Sequence, residues 1–149
     1  MKVCVGGTFD ILHKGHKKLL TTAFQTAGEH GTVFIGLTTK KKPRTTSYIQ
    51  RKKALETYLT QENITQLYQI KPIHDKYGPT LEEDFDAIIV SPETRPTAEQ
   101  INQLRQQKGK KPIHIIQIPF VLAEDHYPIS STRIRQHQIT TDGKLLKSD

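Results

Sequence analysis

Apolar residues along this chain alternate between short runs and helical stripes. The runs predict five strands: 2–5, 32–37, 66–73, 87–90 and 113–118. Between them, Leu19, Leu20, Ala23, Phe24 and Ala27 share one helical face, and Gly28 stops a helix that starts near Lys14. Leu55, Tyr58 and Leu59 mark a second helix over 47–62, with Ser47 as its cap. Ala98, Ile101 and Leu104 mark a third over 97–108, ended by Gly109. A Gly-Pro turn and a short acidic helix are expected between the third and fourth strands. The fourth strand is apolar throughout, as in a strand covered on both faces. Strand–helix alternation predicts an α/β fold with a doubly wound parallel sheet in a single domain. Residues 138–149 are polar and are expected to fray as a C-terminal tail.

Composition narrows the class. At 149 residues the chain is long enough for one domain with a sizeable core. Its apolar runs are too short to span a membrane, and a chain starting in a strand leaves no signal peptide to expect. The one cysteine, Cys4, lies in the first predicted strand, where packing is its expected role, and it fits a reducing, cytoplasmic setting. The net charge of +7 suits polyanionic ligands such as nucleotides. Nucleic acid is the competing explanation, but the basic residues are scattered and no aromatic–basic interleaving accompanies them.

The chemistry concentrates at residues 6–16, Gly-Gly-Thr-Phe-Asp-Ile-Leu-His-Lys-Gly-His. A strand runs into paired glycines and then into a helix start with two imidazoles. Gly6 and Gly7 let backbone approach an anion, the helix start offers free N–H groups, and His13 and His16 add donors. Histidines three apart can instead ligate a metal, but no cysteine or acidic partner stands at ligand spacing. A pair of surface histidines beside an ordinary turn is the plainer alternative. Residues 129–135, Ile-Ser-Ser-Thr-Arg-Ile-Arg, form a second motif that opens a last short helix. No G-x-S-x-G elbow and no Walker motif occurs, so neither a covalent serine nor a P-loop kinase is indicated.

Together the two motifs resemble the signature of the HxGH nucleotidyltransferases. Asp75-Lys76-Tyr77-Gly78-Pro79 and Ile89-Val90-Ser91-Pro92-Glu93-Thr94 resemble the phosphopantetheine adenylyltransferases of archaeal and eukaryotic type. The resemblance spans residues 2–137. It implies a Rossmann-like sheet of strand order 3-2-1-4-5, with ligands at the switch point between strands one and four. It also implies transfer of AMP from ATP to 4′-phosphopantetheine, giving dephospho-coenzyme A and pyrophosphate. A phosphate nucleophile is already ionised, so such an enzyme must align anions and stabilise charge rather than supply a base.

By the same resemblance, His16 and His13 contact the reacting phosphates, and Thr8 offers a hydroxyl to the attacking phosphate. Gly6, Gly7, Phe9, Ser91, Glu93 and Thr94 belong to the ATP site. Ser130, Ser131, Thr132 and Arg135 hold the β- and γ-phosphates. Lys41, two residues before Pro43, meets the attacking phosphate, with Lys40 and Lys42 as neighbouring candidates and a solvated basic loop as the alternative. Asp75, Tyr77 and Gly78 shape the pantetheine side, or form a plain Gly-Pro turn. Mg²⁺ is expected to bridge the ATP phosphates through phosphate and water, so no protein metal ligand is assigned. The rival functions are a glycerol-phosphate cytidylyltransferase, an FMN or nicotinamide mononucleotide adenylyltransferase, and a non-catalytic nucleotide-binding module on the same fold. The pattern leaves the oligomeric state open.

Overall fold

The computed structural model describes residues 1–39 and 45–146. Strands β1 (Lys2–Gly7), β2 (Thr32–Thr38), β3 (Leu67–Ile73), β4 (Ala87–Val90) and β5 (His114–Gln117) form one sheet. Its order is β3-β2-β1-β4-β5, with every pairing parallel. Helices α1 (Lys14–Ala27), α2 (Tyr48–Gln61) and α3 (Arg95–Gln107) cover the sheet, and α4 (Ser131–Arg135) follows β5. The expected order is therefore the one found, and the switch point lies between β1 and β4.

The sequence pattern sets these elements locally. Every residue of β4 is buried, because α1 and α3 cover its two faces. Leu20, Ala23, Phe24 and Ala27 turn the α1 stripe into the main core with Val3, Val5, Ile35, Leu55 and Leu59. Ser47 caps α2 by accepting from Gln50 N, and the Gln50 side chain accepts from Ser47 N in return. Cys4 is buried on the opposite face of the sheet, against Phe85, Ile88 and Ile101. Burial pushes its thiol up to about 12, so it packs and does not react.

Two expectations are corrected. The acidic stretch after the Gly-Pro turn is not a helix. A single 3₁₀ turn spans Gly78–Leu81, and buried Arg105 of α3 then takes the carbonyls of Thr80 and Glu83 and the carboxylate of Asp84. Those interactions turn the chain toward α3. Nor does the chain fray from residue 138. Ile139 is 1% exposed and packs with Ala123 and Ile129 in a small separate core. It pairs with Leu145 across a tight turn, and the Thr141 carbonyl accepts from Lys14 N at the start of α1. Ile139 thus anchors the segment, while Leu145 and Leu146 stay largely exposed. Ile139→Ala is expected to destabilise the protein by about 2–5 kcal/mol in urea denaturation. A change under about 0.5 kcal/mol would contradict the packing described.

Candidate active site

At the carboxyl end of β1 the chain makes a tight double bend. Phe9 and Ile11 both adopt left-handed backbone, with φ of 48° and 51°. Such angles are rare for a bulky or β-branched residue and persist only where surrounding contacts hold them. Here Phe9 is buried in the main core, and Asp10 between the two is almost fully enclosed. The bend delivers the chain to the start of α1 with both histidines on the cleft side.

His13 is the N-cap of α1. Its Nδ1 accepts from Gly15 N at 3.0 Å and from His16 N at 3.4 Å. His16 returns the interaction, its Nδ1 accepting from His13 N at 3.3 Å. A backbone N–H can only donate, so neither Nδ1 carries a proton, and the proton of each neutral ring sits on Nε2. The two rings stack with centroids 3.7 Å apart and an interplanar angle of 17°. Phe9 lies against His16 at 5.3 Å. Burial lowers His13 to about 4 from an ordinary value of 6.5. Burial, and then the neighbouring His13, lowers His16 to about 3, against the opposing charge of Asp10 and the Ile11 backbone. The cleft therefore presents two neutral, fixed Nε2–H donors rather than the cations that the motif alone allows.

A consequence follows for pH. Both folded values lie below the ordinary one, so the unfolded chain binds protons on these rings first as pH falls. These rings weaken the fold as pH drops from about 6.5 through 4 toward 3, and their contribution is fully present above that window. Ring nitrogen-15 NMR at about pH 5.5 is expected to show two neutral rings protonated at Nε2. Imidazolium signals from both residues at that pH would contradict the geometry.

These rings line a cleft of about 460 Å³. Gly6, Gly7, Thr8, Phe9, His13 and His16 from the first motif meet Ser91, Glu93 and Thr94 after β4 and Ser130, Ser131, Thr132 and Arg135 from the second motif. All the residues expected at ATP thus share one cavity, closed on one side by Ile118, Pro119, Phe120 and Val121 beyond β5. Their polar atoms are not equally available. Ser130 Oγ caps α4 by accepting from Arg133 N at 3.2 Å, which leaves its own proton for a ligand. Ser131 Oγ donates to the Asp10 carbonyl, so its proton is committed. Ser91 and Thr94 close a turn on each other, with Ser91 N donating to Thr94 Oγ1 at 2.9 Å. Arg135 pairs with Asp10, and its buried Nε has no partner among the described residues.

Tyr77 and Gly78 do not reach this cleft. They line a second, apolar pocket of about 190 Å³ between the sheet and α3, with Phe34, Ile73, Ala98 and Ile101. Gly6, Gly7 and Thr94 border both cavities, so the two adjoin beside the end of β1. Asp75 sets the turn, its Oδ1 accepting from Tyr77 N and Gly78 N at 2.9 Å each. Gly78 has a φ of +53°, and a Cβ there would stand 2.9 Å from Ile73 Cγ2, so only glycine fits. Lys41, with Lys40 and Lys42, lies outside the described residues.

Sequence reasoning missed Asp10, Thr46 and Arg51. Asp10 sits inside the strongest motif as its one acidic residue, which was the available signal. Arg51 is 2% exposed and donates to the carbonyls of Thr8 at 2.9 Å and Thr46 at 3.0 Å. It stands four residues before Leu55 on the buried face of α2, a place the helical pattern offered, but its charge marked it for solvent like Lys52 and Lys53 beside it.

Comparisons with known proteins agree with this geometry. The sequence model of the family described as cytidylyltransferase-like matches residues 4–137. A phosphopantetheine adenylyltransferase of Methanosarcina mazei is 47% identical over 151 residues, covering 98% of this chain and 97% of that protein. One from Methanopyrus kandleri is 43% identical over 141 residues, covering 90% and 88%. A solved Archaeoglobus fulgidus structure, described as a protein with unknown function, superposes with a TM-score of 0.72 at 35% identity, covering 79% of this chain and 89% of that one.

Proposed function

The chain belongs to the cytidylyltransferase-like family and, within it, to the phosphopantetheine adenylyltransferases, and we propose that its cleft transfers AMP from ATP to the phosphate of 4′-phosphopantetheine. A non-bridging oxygen of that phosphate attacks the α-phosphorus in line. A new P–O bond forms as the bond to the β-bridging oxygen breaks, and pyrophosphate leaves with the electron pair. No proton need be removed from the nucleophile, which fits a site built of neutral donors rather than bases. The Nε2–H groups of His13 and His16 face the α-phosphate, where charge builds in the transition state. Ser130, Thr132 and Arg135 hold the leaving phosphates, and Thr8 with Lys41 meets the attacking one. The backbone of Gly6 and Gly7 makes room for both anions. The pantetheine arm lies in the apolar pocket of Tyr77 and Gly78, which adjoins the cleft at Gly6, Gly7 and Thr94.

Magnesium fits this site only as part of the nucleotide. Among the described residues no three histidines, cysteines or carboxylates come together. Asp10 is engaged by Arg135 and Thr46, and Glu93 stands alone in the cleft. The ion would enter on the ATP phosphates, and no step above depends on it.

The meeting of both motifs with an adjoining apolar pocket carries this function. A cytidylyltransferase for a small alcohol phosphate has no use for that pocket. Pyrophosphate release tests it, with ATP and CTP each crossed with 4′-phosphopantetheine, FMN, nicotinamide mononucleotide and glycerol phosphate. ATP with 4′-phosphopantetheine is the expected pair. Turnover of CTP with an alcohol phosphate, and none with 4′-phosphopantetheine, would overturn the proposal.

A further inference from the structure

One buried carboxylate ties together three segments that the proposed reaction needs in register. Asp10 is 3% exposed. Its Oδ1 accepts from Thr46 N at 3.1 Å and from Thr46 Oγ1 at 2.9 Å. Its Oδ2 pairs with Arg135, and its carbonyl accepts from Ser131 Oγ. Thr46 lies just beyond residues 40–44, the segment with the candidate lysine for the attacking phosphate. Arg135 and Ser131 belong to the segment proposed to hold the leaving phosphates. Asp10 itself stands between the two left-handed residues that aim the histidines.

We propose that Asp10 is a positioning residue that couples the two substrate sites, one carboxylate oxygen fixing Thr46 beside the cleft-lining Thr45 and the other fixing the second motif. The inference rests on the function proposed above. Arg51 supports it independently. Its guanidinium clips the carbonyls of Thr8, the residue proposed to meet the attacking phosphate, and Thr46, joining the first motif to Thr46 a second time. Burial alone would raise the Asp10 carboxyl, but the hydrogen bonds of Arg135 and Thr46 outweigh it and hold the group ionised. The cluster then holds two guanidinium groups and one carboxylate. Arg51 and Arg135 each keep a buried N–H without a partner among the described residues. That leaves an uncompensated positive charge beside the place where two polyanions must meet, and Asp10 sets where it sits.

The two arms can be cut separately. Thr46 is exposed, so Thr46→Val removes one hydroxyl without touching the core. It is expected to raise the KM for 4′-phosphopantetheine about tenfold, the size expected for a lost hydrogen bond to a charged group. The KM for ATP should stay within about twofold, and Thr46→Ser should restore the parent value. Arg135→Lys should do the reverse, weakening ATP more than 4′-phosphopantetheine. In Asp10→Asn, which keeps an acceptor but loses the charge, adding Thr46→Val should produce much less than the further tenfold loss expected of independent groups. Equal changes in both KM values for each single variant, or a fully additive double variant, would overturn the coupling. So would a lower melting temperature with no change in either KM. These outcomes presuppose turnover by the parent chain. A parent inert toward ATP and 4′-phosphopantetheine would instead overturn the proposed function, and this role with it.

Discussion

Replacing His16 by alanine is expected to lower turnover by about 10²–10³-fold, with a much smaller loss of ATP affinity. The asymmetry follows from how the ring is held. Its Nδ1 is occupied by His13 N, one face is stacked on His13, and Phe9 packs against it. The Nε2–H donor is therefore fixed before substrate arrives, and no reorganisation is required of it during reaction. The α-phosphate carries more charge on its equatorial oxygens in the transition state than in bound ATP, so a fixed donor there favours the transition state. Ground-state ATP is expected to keep the other contacts proposed for it across the cleft. Single-turnover kinetics beside calorimetric titration of ATP separates the two quantities. Loss of ATP affinity in proportion to turnover would make His16 a binding group only.

Gly15→Ala is expected to lower turnover by about 10²-fold although residue 15 presents no functional group. A Cβ at this position would stand 2.9 Å from His13 Cε1 and 3.1 Å from its Nδ1. The imidazole cannot simply retreat, because it stacks on His16 and caps the helix through the same nitrogen. Any relief moves both donors. Stability should change little. Alanine gains up to about 1 kcal/mol over glycine within a helix, roughly offsetting the loss of a cap worth about 1 kcal/mol. Melting temperature and kcat measured together check this. An active Gly15→Ala within about twofold of the parent would show that the ring positions are not critical.

The sheet was legible because its signals are local. The inner strands are short apolar runs with glycine, proline or polar residues at their ends, the edge strand β3 mixes apolar with polar positions, and each long helix carries a stripe of the right period. The strand order was not legible in that pattern. It followed from the resemblance of the two motifs, and the pairings bear it out. The cleft residues were legible for the same reason, since both motifs are continuous in sequence. The ties between them were not. Asp10 and Arg135 are 125 positions apart, and no spacing rule joins them. Arg51 and Arg105 fall on the apolar faces of their helices, four residues before Leu55 and four after Ile101, but the charge of an arginine marks it for solvent whatever its position. Each is instead buried by carbonyls that only the tertiary fold brings near. Ile139 escaped notice because it stands six positions from the next apolar residue, Leu145, and so belongs to no helical or strand period.

The cleft is proposed to move the adenylyl group directly from ATP to a phosphate nucleophile. Incubation of the chain with 4′-phosphopantetheine and ATP labelled either at the α- or at the γ-phosphorus, followed by separation of products, tests that transfer most directly. The α-label should appear in dephospho-coenzyme A and the γ-label in pyrophosphate, with neither product formed when 4′-phosphopantetheine is omitted. Appearance of the γ-label in the pantetheine product would mean phosphoryl rather than adenylyl transfer, and an α-label retained in ATP throughout would mean a nucleotide-binding protein without the reaction; either would contradict the account.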